Sequence, residues 1–418
     1  MMVDLPAWLN LGLRWLHLTT GIAWIGASFY FVWLDMHLKP PADGEASGEL
    51  WAVHGGGFYH NQKYQVAPRK MPPDLHWFKW EAYATWLSGS ALFVLIYYFG
   101  ARTFLIDSSK ANLDEFEAIG LSLAALLGAW LFYHLLCKTK LGDRGLIFGG
   151  IWFGALVAAT YGLTHIFNSR AAYLQIGAMI GTVMVANVFY VIIPNQRKAV
   201  AALIAGHTPD PALGKAGKQR SLHNNYMTLP VLFIMISNHY PMTYGASRPW
   251  LVLALLGLTG VVIRHVFNLR NVGRPIGPTV ALAAALAAAS IGYVSNEQRP
   301  GSQAPDDAPA ENTAGPAETG AATAKASAMR AEQPGYASVA PILARHCSGC
   351  HSLRPTNSAF TAPPLGIILD NYEHVRAHAP RIKAVTVDSE VMPLGNATGM
   401  TRAERDAIGT WIDGGAAQ

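Results

Sequence analysis

The chain has 418 residues, 51% of them apolar and only 14% charged, with a formal net charge of +5 and a pI near 9.0. The length allows two or three domains. The basic residues sit in short stretches between long apolar runs, a membrane-topology pattern rather than a nucleic-acid-binding face, and three Cys exclude a disulfide framework.

The first three hundred residues read as a polytopic all-α helix bundle. Apolar runs predict about eight transmembrane helices, near 9–34, 80–100, 117–137, 146–166, 172–194, 223–240, 249–267 and 277–296. Segment 223–240 is the most polar of them, with Asn224, Asn225 and Pro230 inside. The N-terminus Met1-Met2-Val3-Asp4 has no basic region and no small-residue cleavage site follows, so no cleavable signal peptide is expected. Cys137, at the end of an apolar run, is expected to be a packed thiol.

Between the first two runs lies His54-Gly55-Gly56-Gly57-Phe58-Tyr59-His60-Asn61-Gln62-Lys63-Tyr64, followed by Arg69. It mixes imidazole, amine and phenol groups around three glycines, which let backbone approach an anion or a flat ring. His54, His60, Lys63 and Arg69 are the candidate catalytic groups on this loop. A plain glycine turn beside an aromatic belt is the competing reading, and no GK[ST] follows to make it a phosphate loop.

Ionisable groups inside spans are expensive and are functional candidates by default. His17, His165 and His239 fall toward one face of the bundle, and His134, His223 and His265 toward the other. Two layers of imidazoles on several helices are what one or two stacked b haems need, and Arg14 and Arg264 stand beside them as candidate propionate partners. Interhelical hydrogen bonding is the alternative role for each of the six.

Residues 297–335 are rich in Ala, Pro, Glu, Thr and Gly and read as a disordered linker between an integral membrane domain (1–296) and a C-terminal domain (336–418). That domain carries Cys347-Ser348-Gly349-Cys350-His351. Two thiols at this spacing can add to the vinyl groups of one haem while the next imidazole meets the iron, the pattern of c-type haem attachment. A zinc knuckle would need a second ligand pair, and His374 and His378 bring no Cys. The domain reads as a class I cytochrome c with one covalent haem held by Cys347 and Cys350 and ligated by His351. Met392, in Val391-Met392-Pro393-Leu394, is the expected sixth ligand, with Met400 the competitor. Thr401-Arg402-Ala403-Glu404 is a capping box opening a last helix with an Ile408, Trp411, Ile412 stripe.

Haem c is attached outside the cytoplasm, which fixes the side of the C-terminus. With eight spans the N-terminus is then external too. Fifteen Lys and Arg fall in the internal loops and five in the external ones, so the positive-inside rule agrees by an independent route. The expected location is a bacterial inner membrane, multi-pass, with the N-terminus and cytochrome domain on the periplasmic side.

Leu13-Arg14-Trp15-Leu16-His17, Trp24-Ile25-Gly26, His54-Gly55-Gly56-Gly57-Phe58-Tyr59, Ser221-Leu222-His223-Asn224-Asn225-Tyr226 and Ser237-Asn238-His239-Tyr240-Pro241 together resemble the bacterial membrane-bound urate oxidases (urate hydroxylases), whose membrane domain is fused to a cytochrome c. The resemblance covers the whole chain. It implies oxidation of urate to 5-hydroxyisourate in purine catabolism, with electrons passing to the fused cytochrome and on to a terminal oxidase. The residues suit a flat anionic purine: Asn224, Asn225 and Arg264 are candidate substrate-binding groups. A non-catalytic conduit carrying quinol electrons to periplasmic acceptors is the alternative; it needs no polar glycine loop. A redox-tethered transporter is disfavoured by the scarcity of acids in the spans. Expected partners are urate, membrane lipid and an electron acceptor, with no nucleic acid.

Overall fold

A computed structural model describes residues 5–41, 46–64, 68, 71–107, 110–297, 335–357, 363–364, 367–388 and 390–418. Helix α1 (Leu5–His37) leads into a β-hairpin, β1 (Gly48–His54) and β2 (Gly57–Lys63). Helix α2 (Trp80–Phe93) continues through π turns to Leu105. Then come α3 (Glu115–Lys138), α4 (Gly145–Thr164) and α5 (Ser169–Ala186). A π turn at Asn187–Ile192 joins α5 to α6 (Ile193–Ile204). Helices α7 (Pro211–Ser237), α8 (Pro241–Tyr244), α9 (Pro249–Asn271) and α10 (Gly277–Glu297) complete the first unit.

Five of these helices are long and apolar enough to cross a membrane: α3, α4, the continuous α5–α6 helix, α9 and α10. The other three expected spans are helical but less uniformly apolar. Helix α1 carries Asn10, Arg14 and His17; α2 breaks into π turns; α7 opens with Lys215, Lys218 and Arg220 and contains Pro230. All three pack in the same bundle, α1 against α2 and α7 against α5 and α9. Helix α5 is central, burying Ala171, Ala172, Tyr173, Ile176, Ile180 and Val183. Leu121, Leu131 and Leu135 on α3, Leu146 on α4 and Ile291 on α10 point outward, the arrangement of helices solvated by lipid.

The hairpin departs from the all-α expectation. Its strands pair Trp51 with His60 and Val53 with Phe58, and Gly55 (φ 58°) and Gly56 (φ 78°) form a two-residue turn with both central residues left-handed. The glycine run reverses the chain at Gly55-Gly56.

Residues 298–334, nearly all of the expected linker, lie outside the described residues. The C-terminal unit holds α11 (Tyr336–His346), α12 (Tyr372–Ala377), α13 (Ala379–Lys383) and α14 (Arg402–Asp413). It has its own core of Val339, Leu343, Val375, Ile382, Met400, Ile408 and Trp411. Helix α14 starts at the expected capping box, with Thr401 accepting from the Glu404 N–H and the Glu404 carboxylate accepting from the Thr401 N–H. Val391 packs on the bundle core, and Leu394–Asn396 touches the α2 π turn at Ala101–Leu105.

Trp411 is 1% exposed. Trp411→Ala should destabilise the C-terminal unit by about 3–5 kcal/mol. Hydrogen exchange of the full chain should show the loss confined to 335–418, with the bundle unchanged.

Candidate functional site

The bundle end that carries the hairpin is built around asparagine amides. The Asn187 side-chain amide donates to Tyr133 Oη (3.0 Å) and Asn224 Oδ1 (2.8 Å), while its oxygen accepts from Arg220 (3.3 Å). Asn224 donates onward to the Met184 carbonyl (2.9 Å). Tyr133 Oη bonds His223 Nδ1 (2.9 Å), and the His223 ring stacks on Phe148 with centroids 4.2 Å apart. Helices α3, α5 and α7 meet in this network.

One turn around α7, the same end holds a second cluster that is left incomplete. Asn268 on α9 donates to Asn225 Oδ1 (3.0 Å). Arg264, one helical turn from Asn268 and 5% exposed, lays its guanidinium over the Phe29 ring of α1, 4.0 Å from the centroid. Asn225 Nδ2, Arg264 Nε and Asn268 Oδ1 are all buried with no hydrogen-bond partner. Each such group costs about 1–3 kcal/mol, so three together on two adjoining helices, α7 and α9, mark a candidate polar site. Two donors, one of them cationic, and one acceptor beside an aromatic ring suit a flat anion with both carbonyl and N–H edges. The Tyr226 hydroxyl bonds His265 Nδ1 (2.8 Å).

Sequence reasoning singled out Asn224, Asn225 and Arg264; the structure places Asn225 and Arg264 in the incomplete cluster and Asn224 in the Asn187 network. Asn187, Asn268, Tyr133 and Arg220 were missed. A lone amide inside an apolar run was the available signal.

The hairpin residues lie elsewhere. His54 is exposed at the end of β1. His60 bonds Glu49 (2.9 Å) and stacks on Trp51 with centroids 4.2 Å apart. Lys63 pairs with Asp35 at the end of α1. Arg69 lies outside the described residues. None of the three described side chains bonds the buried cluster.

The six histidines of the bundle are not gathered into one site, but four share a geometry. Nδ1 of His17 meets the Thr85 carbonyl (3.0 Å), Nδ1 of His165 the Tyr161 carbonyl (2.6 Å), Nδ1 of His223 Tyr133, and Nδ1 of His265 Tyr226. Pinning Nδ1 leaves Nε2 without a hydrogen-bond partner among the described residues. His17 fits because α2 has Gly89 opposite it; a Cβ there would stand 2.7 Å from the ring. His134 packs on Trp130 with Nδ1 unpartnered, and His239 is exposed.

In the C-terminal unit, Cys347 and Cys350 are unpaired thiols on one turn, closed by N–H groups of Cys350 and His351 donating to the Cys347 carbonyl (3.1 and 2.9 Å). Burial and the neighbouring Cys350 thiol push Cys347 up to about 12. His351 Nδ1 meets the Ile367 carbonyl at 3.1 Å, again leaving Nε2 bare. Met400 is 3% exposed in the core of the unit. Met392 is outside that core, with its backbone fixed by Val385 (2.7 Å) and Arg405 (2.6 Å).

The family model described as Urate oxidase N-terminal matches residues 4–295. No curated protein and no solved structure matches the chain.

The Glu404 carboxylate accepts from the Thr401 backbone and hydroxyl and from His346, which hold it down at about 2. A depressed folded-state value stabilises above the unfolded carboxylate range, near 4.3, and the contribution is lost as pH falls toward 2. Glu404→Gln should therefore lower the melting temperature of the C-terminal unit at pH 6. The gap to the unsubstituted protein should close between pH 5 and pH 2, as followed by circular dichroism.

Proposed function

The chain belongs to the urate oxidase N-terminal family, which points to urate-related oxidation, and on that premise we propose that it is a membrane-bound urate oxidoreductase that passes electrons to its own C-terminal domain. The observation that carries this is the incomplete cluster of Asn225, Arg264 and Asn268. Urate is planar, anionic at neutral pH, and edged by carbonyl oxygens and N–H groups. Arg264 Nε and Asn225 Nδ2 donate to its oxygens, Asn268 Oδ1 accepts from a ring N–H, and the Phe29 ring covers one face of the guanidinium and keeps water from it. Burial of the cation makes its attraction for the anion stronger than at an exposed surface.

The reaction is urate plus water giving 5-hydroxyisourate, two protons and two electrons. Water supplies the hydroxyl oxygen. His265, next to Arg264 in the chain and hydrogen-bonded through Nδ1 to Tyr226, is the group assigned to take a proton, on Nε2. The hairpin with His54, His60 and Lys63, followed by Arg69, stands at the same end and has an accessory place in this reading.

The residues of the C-terminal unit fit a covalent haem: paired free thiols, an imidazole oriented through Nδ1, and one methionine outside the packed core. Cys347 and Cys350 would hold it, and His351 and Met392 would supply side chains to its iron. His17, His165 and His223, each with a bare Nε2, are the candidates for b haem in the bundle; His134 and His239 have no second-nitrogen partner to orient them. When bound, such groups accept and donate single electrons. The bundle crosses an inner membrane with the hairpin end in the cytoplasm, where urate is made, and the C-terminal domain on the periplasmic side. A terminal oxidase or similar acceptor takes the electrons onward.

Adding urate to oxidised membranes should reduce the c-haem absorption band; a band that dithionite reduces and urate does not would overturn the assignment. Arg264→Lys keeps the charge but loses the planar fork, and should raise the KM for urate ten-fold or more with a smaller change in kcat. Met392→Leu should abolish the sulfur-to-iron band at the red end of the spectrum, while Met400→Leu leaves it; the reverse result would exchange their roles.

A further inference from the structure

A cleft at the hairpin end opens beside the Asn187 network and shares Arg220 with it. It is a cleft of about 550 Å³ between α3 and the paired α6 and α7, lined among others by Trp130, His134, Lys138, Tyr190, Gln219 and Arg220. Its polar groups are positive or neutral: no Asp or Glu lines it. Arg220 is 4% exposed, and its hydrogen-bond partners among the described residues are neutral, the Asn187 oxygen at 3.3 Å and the Tyr133 hydroxyl. Its guanidinium otherwise rests 5.0 Å from the Tyr133 ring centroid, so a buried cation faces the cleft without a counter-charge. Lys138 stands at the mouth and makes no salt bridge among the described residues. His134 Nδ1 is buried in the wall with no partner. A buried charge left unpaired is costly, and an anion seated between Arg220 and Lys138 removes that cost.

The walls say what else the ligand carries. The Trp130 and Tyr190 rings stack with centroids 5.8 Å apart, and Trp130 lies 4.8 Å from the His134 ring. Tyr190 is 62% exposed, beside Phe189 at 52% and Leu135 at 61%. Tyr190, Phe189 and Leu135 belong to helices long and apolar enough to span a membrane, so the cleft has exposed apolar side chains of candidate spans beside its basic groups. A ligand with an anionic head and an apolar tail matches both halves. A soluble phosphate ester would use only the first.

We propose that this cleft binds the phosphate headgroup of an anionic lipid, with Arg220 and Lys138 on the phosphate, Gln219 and His134 as neutral partners, and the acyl chains lying along Tyr190, Phe189 and Leu135. Basic pockets between membrane helices on the cytoplasmic side have this recognition chemistry. The proposal stands apart from the urate reading and takes from it only the choice of leaflet.

The test is native mass spectrometry of the full-length protein in detergent, titrated with phosphatidylglycerol, phosphatidylcholine or glycerol 3-phosphate. One phosphatidylglycerol should be retained at least ten-fold more tightly than phosphatidylcholine. Lys138→Glu, at an exposed position, should weaken that binding ten-fold or more, Arg220→Gln likewise, and Lys140→Glu at the nearby rim should not. Thermal melting of each variant separates loss of the site from loss of the fold. Phosphatidylglycerol bound equally well by both cleft variants, or no better than phosphatidylcholine, would overturn the proposal. Displacement of the lipid by glycerol 3-phosphate at comparable concentration would overturn the lipid source in favour of a soluble phosphate ester.

Discussion

A buried amide in an apolar bundle has no water to turn to, and the Asn187 side chain is where this constraint is met. It sits at the π turn between α5 and α6 and bonds Tyr133 on α3 and both Arg220 and Asn224 on α7. Rotating any one of the three helices breaks at least one of these bonds and strands a polar group at about 1–3 kcal/mol each. The rotation of α7 so fixed puts His223 against Phe148 and turns Asn225 toward Asn268 on α9. Both clusters at the hairpin end, and the cleft beside Arg220, descend from that one set of bonds.

Long uniform patterns were the most legible part of the sequence. The apolar runs of α3, α4, α9 and α10 end within a few residues of the expected limits, because length and hydropathy alone decide such helices. The last helix was readable from its capping box and its Ile408–Trp411 stripe, a local motif with a local cause. Helix α6 was not: the apolar run stops near 194, while the helix continues through Arg197 and Lys198 on the strength of packing against α7. The hairpin was not, because its strands are exposed on both faces and lack the alternation that marks a half-buried sheet.

The site was legible by residue type and illegible by grouping. Asn225 and Arg264 drew attention as polar groups in apolar helices, yet Asn268 and Asn187 look no different in sequence from a harmless interhelical contact. What distinguishes them is whether each nitrogen and oxygen finds a partner, and that depends on neighbours tens of residues away. The histidines show the same limit. Their number and spacing suggested layers, whereas the informative property, an Nδ1 fixed on an oxygen, emerges only once Thr85, Tyr133 and Tyr226 are placed beside them.

The α5–α6 helix has a mechanical consequence. Its 36 residues extend about 54 Å at 1.5 Å per residue, against a hydrocarbon thickness of about 30 Å. The helix is therefore longer than a membrane crossing needs, and its last part, α6, runs beside the start of α7. A rigid rod transmits torque along its length, and this one is pinned at its midpoint by Asn187. Its far end turns back through Gly206 into α7, which packs along α6, so the two helices form one paired unit that carries Asn187 at its base.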